Sequence, residues 1–122
     1  IEPDIVHSHM YHANIFCRLA RIFTKIKLLI CSAHSTTEGG RISEILYRYS
    51  DFLCDLTTNV SKVATDAFIA KKMVPSTKII TVYNGVDTSV FSICKQSRVN
   101  IRSYFDYSSD NFVFLAVESW RA

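Results

Sequence analysis

No apolar run in this sequence approaches the roughly 18 residues needed to span a bilayer, and no charged, apolar leader of the secretory type stands at its start. The four cysteines, Cys17, Cys31, Cys54 and Cys94, are widely spread and contain no CxxC pair. That spacing argues against a disulfide framework or a zinc ribbon and fits reduced thiols in a cytoplasm. Charge of one sign is also scarce: a net +3 does not by itself point to nucleic acid. Internal repeats and low-complexity segments are missing. The tripeptide Asn59-Val60-Ser61 matches a glycosylation sequon, a match that chance explains best. With 48% hydrophobic and 20% charged residues in 122, the chain has material for one packed core. It begins at Ile1 without an initiator methionine and stops at Ala122 just after an apolar run, as a fragment of something longer would.

Strand-like and helix-like patterns alternate throughout. Strands are expected at "PDIVHSH", "KLLICSA", "LTTNV", "KIITVYN" and "NFVFLAVE". Helices are expected over 10–26, 42–53, 61–73 with Ser61 as N-cap, and 96–106. This alternation predicts an α/β fold with a parallel, Rossmann-like sheet. On the first helix, Ile15, Phe16, Leu19, Ile22, Phe23 and Ile26 share one arc and Arg18, Arg21 and Lys25 another. A sheet-packing helix with a solvated basic side is the plain reading. A peripheral membrane contact, with the basic side facing anionic headgroups, is the sharper one.

In open parallel sheets, ligands bind beyond the carboxyl ends of the strands. Those ends supply His7, Ser8 and His9, then His34 with "STTEGGR", then Ser61, then Asn84-Gly85. His7 and His9 lie on one side of their strand because side chains alternate faces. Three readings follow: a polar strand end with a hydrogen-bonded histidine, a pocket role, and a metal site of the kind used by metal-dependent hydrolases, in that order. The last lacks an aspartate at close spacing, with only His12 and His34 as further histidines. Gly39 and Gly40 let backbone approach a ligand closely, and the helix that follows offers free N–H groups. Glu38 can accept from sugar hydroxyls, or simply favour the helix start. In "YNGVDTSVF", Asn84-Gly85 tolerates positive φ, Asp87 can cap the next turn, and Phe91 can anchor the segment by burial.

Taken together, "VHSHMYHAN", "CSAHSTTEGGR", "LYRYSDFLCDLTTNVSKVATDAF" and "VYNGVDTSVF" resemble, in order and spacing, glycosyltransferase family 4 enzymes of bacterial polysaccharide assembly. The likeness covers nearly the whole chain. It implies the GT-B architecture, two Rossmann-like domains facing across a cleft. Residues 1–84 would be the second half of the acceptor-side domain, 85–107 the interdomain crossing, and 108–122 the first strand of a truncated donor-binding domain. It implies retaining transfer from a nucleotide diphosphate sugar, the co-substrate, to a saccharide or lipid-linked acceptor. No metal or other cofactor and no nucleic acid are expected. The setting would be cytoplasmic, at the inner face of the membrane, in cell-surface polysaccharide synthesis.

By the same resemblance His9 is the catalytic histidine near the reacting sugar. His34, Glu38, Gly39 and Gly40 line the acceptor side, and Asn84 and Gly85 sit at the interdomain cleft. Where the family has Gly-Arg after the first donor-domain strand, this chain reads Glu118-Ser119-Trp120-Arg121. Ser119 therefore stands at the arginine's place, with Arg121 as the nearest substitute for holding the diphosphate. The 122 residues alone are expected to be inactive. A metal-dependent hydrolase using His7 and His9, or an inactive GT-B-derived binding remnant, are the alternatives.

Overall fold

The computed structural model describes residues 2–117 and divides into two units, one ending at Gly85 and one beginning at Val86. In the first, four strands form a parallel sheet in the order β1-β2-β3-β4: β1 (Ile5–His9), β2 (Leu28–Ala33), β3 (Leu56–Asn59) and β4 (Ile79–Thr81). Each strand reaches its parallel neighbour through a helix: α1 (Tyr11–Ala20), α2 (Gly40–Ser50) or α3 (Lys62–Ala70). Right-handed crossovers that all step the same way bring their helices to one face of the sheet. Burial follows that rule. Ser8, Leu29, Cys31, Ala33, Thr57, Asn59 and Ile79 are buried, while Ile5, His7, Leu28 and Ile80 on the opposite face are exposed.

The core beneath the helices has two parts. Ala33, Tyr47, Phe68, Met73, Val74 and Ile79 form one, and Leu29, Cys31 and Cys54 the other. All four cysteines are free thiols. The ends of α3 show how local chemistry sets element length. Ser61 caps it as expected, accepting from the Ala64 N–H at 3.2 Å. It stops at Ala70, short of the expected 73, where Lys72 turns into the left-handed region at φ 55°. Arg48 of α2 donates to the Lys71 and Lys72 carbonyls there. Similarly, α2 gives way after Ser50 to a short 3-10 turn over Asp51–Leu53.

The first helix departs from expectation in length and in facing. It ends at Ala20 rather than 26, because the Phe23 N–H (3.0 Å) and the Thr24 hydroxyl (2.8 Å) both take the Ala20 carbonyl. Its expected basic side is only partly solvated. Arg18 is fully buried, lies 4.7 Å from the Tyr47 ring centroid, and donates to Tyr47 O, Ser50 Oγ and Thr57 Oγ1. Arg21 pairs with Asp55 at 2.6 Å. Much of the arc expected to pack on the sheet is outside instead, with Phe16 72% and Phe23 86% exposed, while Ile26 packs against Leu29, Cys31 and Cys54. Two of the three cations assigned to a lipid-facing side are therefore engaged within the fold.

In the second unit, Asp87 caps its turn as expected, its Oδ1 accepting from the Ser89 N–H and hydroxyl. The expected anchoring by Phe91 fails, since that ring is 74% exposed. Helix α4 (Lys95–Tyr104) falls where the periodicity places it. The strand expected over 111–118 is not formed across residues 111–117, and Glu118 lies outside the described residues. These residues pair with no strand among the described residues, so no ladder takes up their N–H and C=O groups, and Phe112, Phe114 and Leu115 are exposed.

Candidate functional site

The register of β1 on β2 sets His9 opposite Ser32, and the register of β2 on β3 sets Ser32 opposite Thr58. These three side chains, with His7 and His34, form a polar group at the carboxyl ends of the strands. The His9 Nδ1 and His34 Nε2 atoms are 3.1 Å apart, and the His7 and His9 ring centroids 4.2 Å apart. His7 Nε2 meets Ser32 Oγ at 2.7 Å, and Ser32 Oγ meets Thr58 Oγ1 at 2.6 Å. One nitrogen of the His9–His34 contact must donate and the other accept, so both rings cannot be fully protonated while it holds. Burial, then the neighbouring His9 and His34, pushes the His7 imidazole below its ordinary 6.5. His7 thus favours its neutral form beside the His9–His34 contact.

No group of three or more His, Cys, Asp and Glu side chains converges as a metal would require among the described residues. His7 turns its Nε2 to Ser32 and His9 its Nδ1 to His34. The hydrolase reading is thereby left without a third ligand in the described structure.

The segment from His34 to Gly40 is built on Glu38. That carboxylate is only 8% exposed; Oε1 accepts from the His34 N–H and Oε2 from the Tyr47 hydroxyl, both at 2.8 Å. Burial foremost, reinforced by the adjacent Glu38 charge, drives the Tyr47 phenol far above its ordinary range, so it stays protonated and donates. Gly39 and Gly40 take φ of +86° and +77°, and α2 starts on them with no side-chain cap. A Cβ on Gly39 would lie 3.3 Å from Ser43 Cβ and 3.5 Å from Tyr11 Cε1, besides straining the backbone. Beside this loop a cavity of about 320 Å³ opens between Met10, Tyr11, His12, His34 and Gly39. A larger hollow of about 550 Å³ runs along Arg98 and Arg102 in the second unit, away from the histidines in sequence and in unit.

Asn84 and Gly85 close the first unit, both exposed. Neither uses the positive φ that the dipeptide tolerates. Ser119 and Arg121 lie outside the described residues.

Sequence reasoning missed several residues that the site depends on. Met10, directly after His9, holds φ 70° and ψ 158°, a region almost confined to glycine. Asn14 is fully buried and ties Ser8, Ser32 O and Tyr47 together at 2.7 to 2.9 Å. The spacing of Asn14 and Arg18, four apart and in line with the half-buried Tyr11 on one face of the helix, was a signal for the first. Nothing local marks Tyr47 as a partner of Glu38.

Among family models, Glycosyltransferase Family 4 matches residues 1–90. No curated protein matches the chain. Among solved structures, Anabaena HepE in complex with UDP superposes with a TM-score of 0.70 at 17% identity, and HepE in complex with UDP-glucose with 0.67 at 17%. Each match covers 84% of this chain and 29% of the other, so the chain spans under a third of those proteins' length. At that identity the likeness speaks to the fold. The Rossmann-like parallel sheet expected for a part of a GT-B architecture is the one found.

Proposed function

This chain belongs to glycosyltransferase family 4, and from that premise we propose that it forms the acceptor-side part of an enzyme transferring a sugar from a nucleotide diphosphate sugar to an acceptor hydroxyl. The observation that carries the reading is the His9–His34 contact at the strand ends, inside the region matched by the family model. The complexes of HepE with UDP and UDP-glucose support a uridine nucleotide as a donor to try first.

In such a transfer the bond from the sugar's anomeric carbon to the diphosphate oxygen breaks, and the diphosphate leaves with the electron pair. The acceptor oxygen bonds to that carbon and its proton passes to the departing phosphate oxygen, which retains the anomeric configuration. Charge develops on the leaving group, so preorganised donors facing it lower the barrier. The ring nitrogens that the His9–His34 contact leaves free supply such an N–H, with His9 nearest the reacting sugar. The acceptor rests along His34 and the backbone of Gly39 and Gly40. Ser119 and Arg121 remain the candidates for the donor diphosphate. The acceptor is a saccharide or lipid-linked saccharide of a cell-surface polysaccharide, met at the cytoplasmic face of the membrane.

The test is nucleotide release from a panel of uridine, guanosine and adenosine diphosphate sugars by the protein translated from the whole source reading frame. His9→Ala is expected to lower kcat by about 10²-fold or more. Release from none of the donors, or turnover indifferent to His9→Ala, would sink the reading.

A further inference from the structure

Glu38 stands in the acceptor-side loop, yet neither of its oxygens is free: one holds the His34 N–H and the other the Tyr47 hydroxyl. The hydrogen bonds behind it run in one direction. The Ser8 hydroxyl donates to Asn14 Oδ1 at 2.7 Å, and Asn14 Nδ2 donates to the Tyr47 oxygen at 2.9 Å. The Tyr47 O–H then donates to Glu38. The second proton of the Asn14 amide goes to Ser32 O, which also accepts from the Met10 N–H, both at 2.9 Å. Asn14 thus has both amide protons and its oxygen committed, which settles its orientation. Ser8, Asn14, Tyr47, Ser32 and Glu38 are all under a tenth exposed. Hydrogen bonds of such a buried network are costly to break singly, because each leaves a desolvated partner.

We infer that Glu38 and Tyr47 are positioning residues that, through Asn14, lock the His34 loop to the end of β1 so that the His34 ring meets His9. Ser8 lies between His7 and His9 in β1, and Met10 follows them, so one end of the network grips the strand that carries His9. Its other end grips the backbone N–H of His34. The network therefore fixes the separation of two exposed rings from below, through groups that are almost wholly buried. The other titratable side chains around the pair are His7, His12 on α1, Tyr11 and Glu38 itself. The inference builds on the reading of His9 as the reacting-centre residue, but its test reads the rings and not turnover.

The experiment is ring-nitrogen NMR of the histidine-labelled protein from the whole reading frame, with His9 and His34 assigned by substitution. In the parent protein a scalar coupling across the Nδ1–Nε2 hydrogen bond should link the two rings. In Tyr47→Phe and Glu38→Gln that coupling should be lost, while the His12 signals stay where they were. Glu38→Gln guards against failure of Tyr47→Phe to fold, because the amide can still accept from the His34 N–H and loses only the acceptor for Tyr47. A cross-ring coupling that survives in cooperatively melting variants overturns the inference. So does a Glu38→Gln protein with parental ring signals and a raised KM for acceptor alone, which would make Glu38 an acceptor ligand. A protein that releases no nucleotide, yet shows coupled rings that uncouple in the variants, would retain the inference and lose the transferase reading.

Discussion

Met10 shows how much one residue's backbone can matter. Its φ of 70° with ψ of 158° costs a side-chain-bearing residue about 1–3 kcal/mol. The side chain is 62% exposed, so little burial offsets that cost. The conformation persists because the Met10 N–H is held by Ser32 O, while Met10 O accepts from the Asn14 N–H. Met10→Gly adds unfolded-state entropy, which opposes folding, but removes the larger cost of the strain, so it is expected to stabilise by about 1 kcal/mol net, read as a higher denaturant midpoint at unchanged slope. The sequence could not announce this strain, since a methionine after a strand carries no mark of it. The pair His7 and His9, in contrast, was readable from alternation alone.

At the scale of elements, α1 is where periodicity and structure part. An apolar arc and a basic arc were both present, and the apolar arc should have packed inward. The fold places Arg18 inside because Tyr47, Ser50 and Thr57 of other elements offer it an aromatic face and three oxygens. Among the described residues its Nε is left without a partner, and it pairs with none of the acidic side chains. Buried charges held this way are expensive to disturb. Arg18→Ala removes the guanidinium and opens a void between α1, α2 and β3, and is expected to cost about 3 kcal/mol in chemical denaturation. Arg21→Ala, on a half-exposed pair, should cost markedly less.

At the scale of the molecule, two groups of the first unit give its stability a pH dependence of the same sign. The His7 pKa in the folded state lies below its ordinary 6.5, so between those values the unfolded chain binds the proton more readily. Stability is full above 6.5 and declines as pH falls through that window. Asp55 is different in cause. Burial alone would raise it, but the Leu29 N–H and the Arg21 guanidinium outweigh burial and hold it below its ordinary 3.8. Its contribution is present above 3.8 and lost on further acidification. Melting temperatures measured from pH 8 to 3 should therefore fall in two steps, with His7→Gln flattening the first and Asp55→Asn the second.

The sequence by itself determined the order of strands and helices in the first unit, the parallel sheet, the Ser61 cap and the gathering of His7, His9 and His34 at one rim. These follow from periodicity, capping and alternation, which are properties of neighbouring residues. Tertiary structure decided which face of α1 is buried, that Tyr47 serves Glu38, and that the His9 and His34 rings meet. It also decided that residues 111–117 form no strand, because a strand exists only against a partner that completes its hydrogen bonds. Each of these depends on groups 9 to 39 residues apart in the chain or on backbone pairing, which no local pattern encodes.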